Sequence, residues 1–242
     1  MTEHLKIQTT LASKGALRVG LNMANKLLIS GTQENGTPFG VSPDVGKAIA
    51  DRLGMPVIYV PYPSPGAVAD GAEKDEWDIA NIGAEPERAE TILFTKAYCE
   101  IEATYLVPGG SPFQTAADVD STGTRIAVKD RSAYGLWLKR NIKNAELVLI
   151  DPSEDPFLTF ESEGLDALSG LRTGLQNDLK RFPGGRLLDG SFTTVQQAVG
   201  TPKKNAVAAN WLEQTVLDLK QSGEIQSFID NHKVVGLSLA PL

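Results

Sequence analysis

The chain has 242 residues, 41% of them hydrophobic and 22% charged, and a net charge of −7. This length buries enough apolar surface to fold without a disulfide or a structural metal, as one large domain or two modest ones. The acidic balance, without a basic run, excludes the usual basis for binding nucleic acid or an anionic membrane. It does not exclude small anions, which local charge can bind.

The sequence predicts neither a metal nor a cofactor. The one cysteine, Cys99, lies in an apolar stretch, which favours buried packing over a catalytic thiol. The two histidines, His4 and His232, have no metal-binding or catalytic spacing. The first residues lack the basic start and apolar run of a secretory signal, and no stretch approaches a membrane span, so we expect no membrane insertion.

Strands and helices alternate along the first part of the chain. A serine before a proline and a glycine after the last apolar repeat indicate the start and stop of the first helix, at Ser42 and Gly54. The predicted elements are strand 16–21, helix 42–54, strand 56–60, helix 65–74, strand 77–82, and strands 91–95 and 103–107.

A second series follows, and its alternation indicates an α/β protein with mainly parallel sheets in two lobes. The predicted elements are strand 124–128, helix 132–142, strand 147–150, helix 155–162, strand 165–168, helix 170–182, strands 186–188 and 195–199, and helices 205–221 and 224–231.

One arginine, Arg88, follows the carboxyl end of a buried strand after a break at Gly83. Ser132 follows the carboxyl end of another strand and opens a helix. Ligands of open α/β sheets bind beyond the carboxyl ends of strands, so we expect both residues to face a cleft between the lobes. The local sequence alone equally allows a surface arginine paired with Glu85 or Glu90.

Several segments occur in a particular order and spacing along nearly the whole chain. These are GVSPDVGKAIADRLG at 40–54, EWDI at 76–79, EPER at 85–88, FTKAY at 94–98, IAV at 126–128 and GLDA at 164–167. In their order and spacing the chain resembles the solute-binding proteins of ABC importers, family 3, the branch best known for polar amino acids.

The resemblance implies a type II periplasmic-binding-protein fold, with a mostly parallel sheet flanked by helices in each lobe. Lobe 1 would comprise 1–106 plus 196–242, and lobe 2 would comprise 107–195. The crossover strands at 103–107 and 195–199 would form a two-strand hinge that closes around the ligand.

The resemblance also implies a ligand site in which Arg88 binds a carboxylate, because a guanidinium meets a carboxylate with two parallel hydrogen bonds. The N–H groups that open the helix at Ser132 would bind the same carboxylate, although Ser132 can equally be a plain helix cap. The implied lining residues are Asn81, Ile82 and Gly83, where glycine allows close approach, and Ser132, Ala133 and Tyr134.

Four of the candidate residues have a plainer alternative. Asn22 and Asn25 follow the first strand and are either pocket contacts or loop polar residues. Tyr62 and Tyr134 either line the pocket or belong to the core.

The chain departs from the family where amino-acid binders carry an acid for the ligand's ammonium. That acid would fall at about Leu171, and Arg172 follows it. Arg172, if it is not simply solvated, favours an organic or dicarboxylic acid. Glu102, beside a crossover strand, is the alternative ammonium partner if it faces the cleft.

The predicted function is non-catalytic binding of a small carboxylate-bearing solute, an amino acid or organic acid, and its delivery to an ABC permease by a monomeric protein. One alternative is an enzyme similar to cyclohexadienyl dehydratases, which act on prephenate or arogenate, with Glu100 or Glu102 as the acid. The other is a cytoplasmic ligand sensor. The resemblance implies a periplasmic or other extracytoplasmic location, whereas the absence of a signal in this sequence leaves the cytoplasm open.

Overall fold

A computed structural model describes residues 2–242, in which helices alternate with single strands or with short groups of strands. The helices are α1 (Glu3–Leu11), α2 (Val41–Leu53), α3 (Pro65–Asp70), α4 (Ala133–Asn141), α5 (Pro156–Ser162), α6 (Arg172–Lys180), α7 (Ala209–Gln221) and α8 (Glu224–Asn231). The strands are β1 (Leu17–Asn22), β2 (Gly31–Thr32), β3 (Pro38–Phe39), β4 (Val57–Tyr62), β5 (Ile79–Gly83), β6 (Ile92–Val107), β7 (Arg125–Lys129), β8 (Glu146–Ile150), β9 (Ala167–Leu171), β10 (Arg186–Leu187), β11 (Thr193–Pro202) and β12 (Ser238–Leu239). None of the helices in 2–242 combines the length and apolar character needed to cross a membrane.

The chain divides into two compact units. Unit 1 comprises Met1–Glu100 and Gln196–Leu242, and unit 2 comprises Ile101–Val195. The chain therefore passes from one unit to the other within β6 and returns within β11. Whether these units are the predicted lobes, and whether these strands act as a hinge, stays a prediction.

Unit 1 contains a mixed sheet whose first three strands are parallel. Strand β1 pairs in parallel with β4 on one side and β5 on the other, and β11 pairs antiparallel with β5. One face packs on α3 through the fully buried Trp77 and Ile82. On α2, Gly46 has no side chain, and a Cβ there would lie 2.8 Å from Val19, so this helix packs unusually close to β1.

The strands of unit 2 are also paired in mixed directions, and they have a core cluster on each face. Strands β9, β7 and β8 are parallel neighbours, and the second half of β6 pairs antiparallel with β9. Because strand side chains alternate between faces, Ile126 and Val128 enter one cluster with Leu138, whereas Ala127 enters the other with Phe160.

Helix α2 does not begin as predicted. Its N-cap is Gly40, at a φ of 140° that disfavours any residue with a Cβ, and Ser42 already lies inside the helix. The Ser42 hydroxyl instead lies 3.0 Å from the buried Tyr98 hydroxyl. The Ser42 side chain therefore bonds a residue that is distant in sequence instead of capping the helix. The local pattern of serine and proline does not show this contact.

Strand β6 also differs from its prediction. The sequence suggested two separate strands at 91–95 and 103–107, but one strand runs without interruption from Ile92 to Val107. The polar residues Lys96 and Glu100 look like a break in the apolar pattern, although the strand continues through them and Glu100 pairs with Ser238 of β12. Helix α1 was not predicted at all, and it begins at a Thr2 side-chain cap.

Candidate functional site

The carboxyl ends of three parallel strands bring sequence-predicted site residues to one edge of the unit 1 sheet. The register pairs Asn22 with Tyr62 at the ends of β1 and β4, and Leu21 with Asn81 in β5. Gly83 ends β5 at the same edge. The sequence therefore folds so that Asn22, Tyr62 and the end of β5 share the position where ligands of open sheets bind.

Arg88 lies just beyond this edge, in a short 3₁₀ turn spanning Arg88–Glu90. It is 4% exposed, and its Nη1 donates a hydrogen bond of 2.7 Å to the carbonyl of Gly83. The guanidinium is thus oriented by the backbone of the strand that precedes it. A guanidinium has five N–H donors in one plane, and the bond to Gly83 is made by one of them.

Asn81 and Ile82 are both fully buried, and their side chains point to opposite faces of β5. Ile82 packs with Trp77 under α3, so its side chain belongs to the core. Asn81 Nδ2 donates 2.8 Å to the carbonyl of Ser42, but the buried Oδ1 has no hydrogen-bond partner within 2–242. A buried unpaired carbonyl oxygen is costly, so Asn81 is a polar position that packing alone does not account for.

The remaining unit 1 candidates serve the local backbone or the core. Asn22 Oδ1 accepts from the Ala24 N–H, and the buried Asn25 Oδ1 accepts from Leu27 N–H, each at 3.2 Å. The Tyr62 hydroxyl donates 2.7 Å to Glu76, and its ring packs with the cluster under α3. Burial first, and then the carboxylate of Glu76, raise the pKa of Tyr62.

In unit 2, Ser132 is the N-cap of α4. Its Oγ accepts 3.0 Å from the Gly135 N–H and donates 2.7 Å to the Lys129 carbonyl, so its one hydroxyl proton is already used. Ser132 is therefore a helix cap, and its predicted contribution to a ligand site, which can coexist with the cap, stays a prediction. Any role toward a ligand would come from the helix end rather than from this hydroxyl.

At the N-terminal end of α4, the first backbone N–H groups have no acceptor within the helix itself. The first intrahelical bond is donated by Leu136 to Ser132, at 2.9 Å, so the N–H groups of Ala133 and Tyr134 precede it. Such groups favour anions. Tyr134 is half-buried, and burial, as the largest cause, raises its pKa to about 12.

Ala133 and Tyr134 pack in one small cluster with Ala103 and Leu171. Phe192 joins this cluster and contacts the Trp137 ring at a centroid distance of 5.5 Å. Sequence reasoning missed Phe192, because it lies in a loop segment that has no periodic pattern.

The two remaining candidates, Arg172 and Glu102, form an ion pair with each other. Arg172 Nε donates 2.6 Å to Glu102 Oε2, and an Nη2 bond holds the guanidinium against the carbonyl of Gly190. Antiparallel pairing of Ala103 with Leu171 places the two residues opposite each other. The sequence named both residues but could not reveal their pairing, because the register of distant strands is not a local property.

The described residues contain no group of three or more His, Cys, Asp or Glu side chains arranged to hold a metal ion. Cys99 is fully buried, and burial raises its pKa to about 12, so its thiol is protonated and inert at neutral pH.

Solved structures of bacterial binding proteins share this fold. The solute receptor for L-cysteine of Neisseria gonorrhoeae is 21% identical at a TM-score of 0.76, with 96% of this chain and 100% of that chain covered. The amino acid ABC transporter substrate-binding protein AbpA of Streptococcus pneumoniae, bound to L-arginine, is 22% identical at a TM-score of 0.71, with 92% and 96% covered. The ancestral amino acid-binding protein AncCDT-1, a precursor of cyclohexadienyl dehydratase, is 21% identical at a TM-score of 0.70, with 91% and 96% covered.

At these identities the likeness establishes the fold, and the predicted type II periplasmic-binding-protein class is confirmed. The fold is that of solute-binding proteins. The family model described as "Bacterial extracellular solute-binding proteins, family 3" matches residues 17–233, and the chain belongs to this family. No curated protein matches the chain in sequence.

Proposed function

We propose that this protein binds a small carboxylate-bearing solute outside the cytoplasm and delivers it to an ABC import permease. Membership of the solute-binding family supports the class of function. The observation that carries the ligand chemistry is the buried Arg88 guanidinium at the carboxyl end of β5, held by the Gly83 carbonyl.

Arg88 binds the carboxylate of the ligand. Its bond to Gly83 fixes the plane of the guanidinium before the ligand arrives, which reduces the entropy lost on binding. A charge-assisted, two-pronged hydrogen bond forms in a position largely removed from water. Asn81, Ile82 and Gly83 form the neighbouring strand end in unit 1. In unit 2, the N–H groups of Ala133 and Tyr134 at the start of α4 are donors that favour an anion.

Titration calorimetry with a panel of L-amino acids and organic acids tests this assignment. We expect Arg88→Ala to weaken binding of every carboxylate ligand at least about 100-fold, because a charge-assisted bidentate bond is lost. Arg88→Lys keeps the charge and should lose less. Arg52→Ala is the matched control, because Arg52 pairs with Glu224 on the surface of the same unit.

Thermal unfolding of each variant separates lost binding from lost folding. Unchanged affinity in a folded Arg88→Ala protein would reject the proposed carboxylate site. Failure of the whole panel to bind the wild-type protein would reject the function itself.

We propose further that the protein is not an enzyme, in contrast to the dehydratase alternative. The two acids considered for that role are committed to other partners: Glu102 binds Arg172, and Glu100 accepts a hydrogen bond of 3.0 Å from Gln196. A general acid must instead be able to give its proton to the substrate. Incubation with prephenate should therefore yield no phenylpyruvate above the uncatalysed background, whereas enzyme-dependent formation would overturn the proposal.

A further inference from the structure

Unit 2 contains a cavity at the amino ends of its parallel strands. Its volume is about 380 Å³, and its lining comes from the loop after β6, the end of α5, the turn before β9 and the segment after α6. Asp166, directly before β9, accepts a hydrogen bond of 2.7 Å from the backbone N–H of Arg125, which begins β7. The cap of α4, Ser132, follows the other end of β7, whose five residues extend over about 16 Å. The cavity is therefore separate from the N-terminal end of α4.

The loop after β6, which forms one side of the cavity, is fixed by contacts within unit 2. A Cβ on Gly109 would overlap the carbonyl of Gly184, so the loop can approach the segment after α6 only because this residue is glycine. Arg186 Nη2 donates 2.9 Å to the carbonyl of Ser111 and also bonds the carbonyl of Phe113. The shape of the cavity therefore does not depend on a ligand.

Most of the lining is apolar and aromatic. The buried Phe160 and Leu165 form its floor, and the half-buried Phe113 and Phe182 form its sides. The rings of Phe160 and Phe182 contact each other at a centroid distance of 5.2 Å. A volume of a few hundred Å³ with an aromatic lining and few polar groups is typical of a small-molecule site.

The charged residues that line the cavity, Glu161 and Asp166, are both acidic. The Glu161 carboxylate has no hydrogen bond or ion pair within residues 2–242, and Asp166 is bonded there through Oδ2 alone. Of the basic residues beside the cavity, Arg125 pairs with Glu163 at 2.9 Å, and Arg186 bonds the loop carbonyls. Two lining carboxylates against one guanidinium that has no acidic partner leave the local charge negative.

We propose that this cavity is a second ligand site, which binds a small organic cation with an apolar body, such as an aralkyl amine. The apolar body packs against Phe113, Phe160 and Phe182. The charged nitrogen lies beside the Glu161 carboxylate and against an aromatic face, which attracts cations. The lining carboxylates repel an anion, so this site and the proposed Arg88 site take ligands of opposite charge.

Three probes of nearly equal size test the charge of the ligand in the full-length protein: 2-phenylethylamine, 2-phenylethanol and 3-phenylpropionate. Amide NMR spectra follow each titration at Gly110 and Gly164, which line the cavity. We expect the amine to shift both resonances with a Kd of about 1 mM, as suits a ligand of this size. The neutral alcohol should bind at least about three-fold more weakly, because it lacks the cation–π and ionic contacts. The anion should leave both resonances unchanged.

Two variants assign the contacts. Glu161→Gln should weaken binding of the amine about three- to five-fold and leave the alcohol unchanged, because the lost ion pair is partly solvated. Phe182→Leu should weaken the amine more than the alcohol, because leucine fills space but offers no ring face to a cation. Glu146→Gln is the matched control, because Glu146 is an exposed glutamate at the start of β8 in the same unit and does not line the cavity. Thermal unfolding verifies that each variant is folded.

The outcomes are independent of the proposed function, which carboxylate ligands test. Equal affinity for the amine and the alcohol, or unchanged affinity for the amine in a folded Glu161→Gln protein, would show that the cavity does not select a cation. Absence of shifts at Gly110 and Gly164 with all three probes would reject the site itself.

Discussion

Among single residues, Asp78 is a buried carboxylate of unit 1, outside the candidate site, that accepts several hydrogen bonds. It is 3% exposed, and its carboxylate accepts bonds from Arg18 through the backbone N–H at 2.8 Å, Nε at 3.0 Å and Nη2 at 2.6 Å. These bonds to Asp78, as the largest cause, raise the pKa of Arg18. We predict that Asp78→Asn lowers the free energy of unfolding by about 3 kcal/mol in urea titrations, because the mostly buried Arg18 guanidinium loses its buried carboxylate partner and keeps only the more exposed carboxylate of Asp75.

The exposed pair of Lys47 and Asp51 provides the comparison. Both side chains are more than half exposed, at a separation of 2.6 Å one helical turn apart. Asp51→Asn should therefore cost less than about 0.5 kcal/mol, since such pairs are solvated and screened. Equal losses in the two variants would contradict the view that burial, rather than ion-pair distance, decides the contribution.

At the scale of the element, α4 combines a capped end with the proposed anion site. We predict that Ser132→Asp keeps the helix cap, because aspartate accepts the capping bond as serine does, but costs about 1–2 kcal/mol, because a carboxylate cannot donate to the Lys129 carbonyl. The new carboxylate would stand beside the ligand's carboxylate, so binding in calorimetry should fall by at least about ten-fold. A folded Ser132→Asp protein with wild-type affinity would exclude α4 from the site. Thr2→Asp, at the cap of α1, should change neither property.

Elements with complete local signals could be predicted, and those defined by tertiary contacts could not. Helix α8 spans Glu224–Asn231 as the pattern after Gly223 indicated. The start of α2 was misplaced because Ser42 satisfies Tyr98, which lies far away in sequence. In the site, the position of Arg88 after a buried strand was readable from the chain. The pairing of Glu102 with Arg172 depends on strand register, which no local pattern encodes.

For the whole molecule, the chain crosses between the two units twice, so unit 1 consists of two separate segments of the sequence and unit 2 of one. Unit 2 is one continuous segment, Ile101–Val195, which contains both of its core clusters and the pairings of β6, β9, β7 and β8. Unit 1 needs β11 from the C-terminal part to pair with β5.

We therefore predict that a fragment of residues 101–195 folds alone, because its apolar faces are covered by its own helices. It should show a cooperative urea transition and dispersed amide resonances. A fragment of residues 1–100 should not fold, because β5 lacks β11 and α2 loses its contacts with α7 and α8. Adding residues 196–242 as a separate peptide should restore order to it. The prediction fails if 101–195 is unfolded under native conditions, or if 1–100 folds cooperatively without the C-terminal segment.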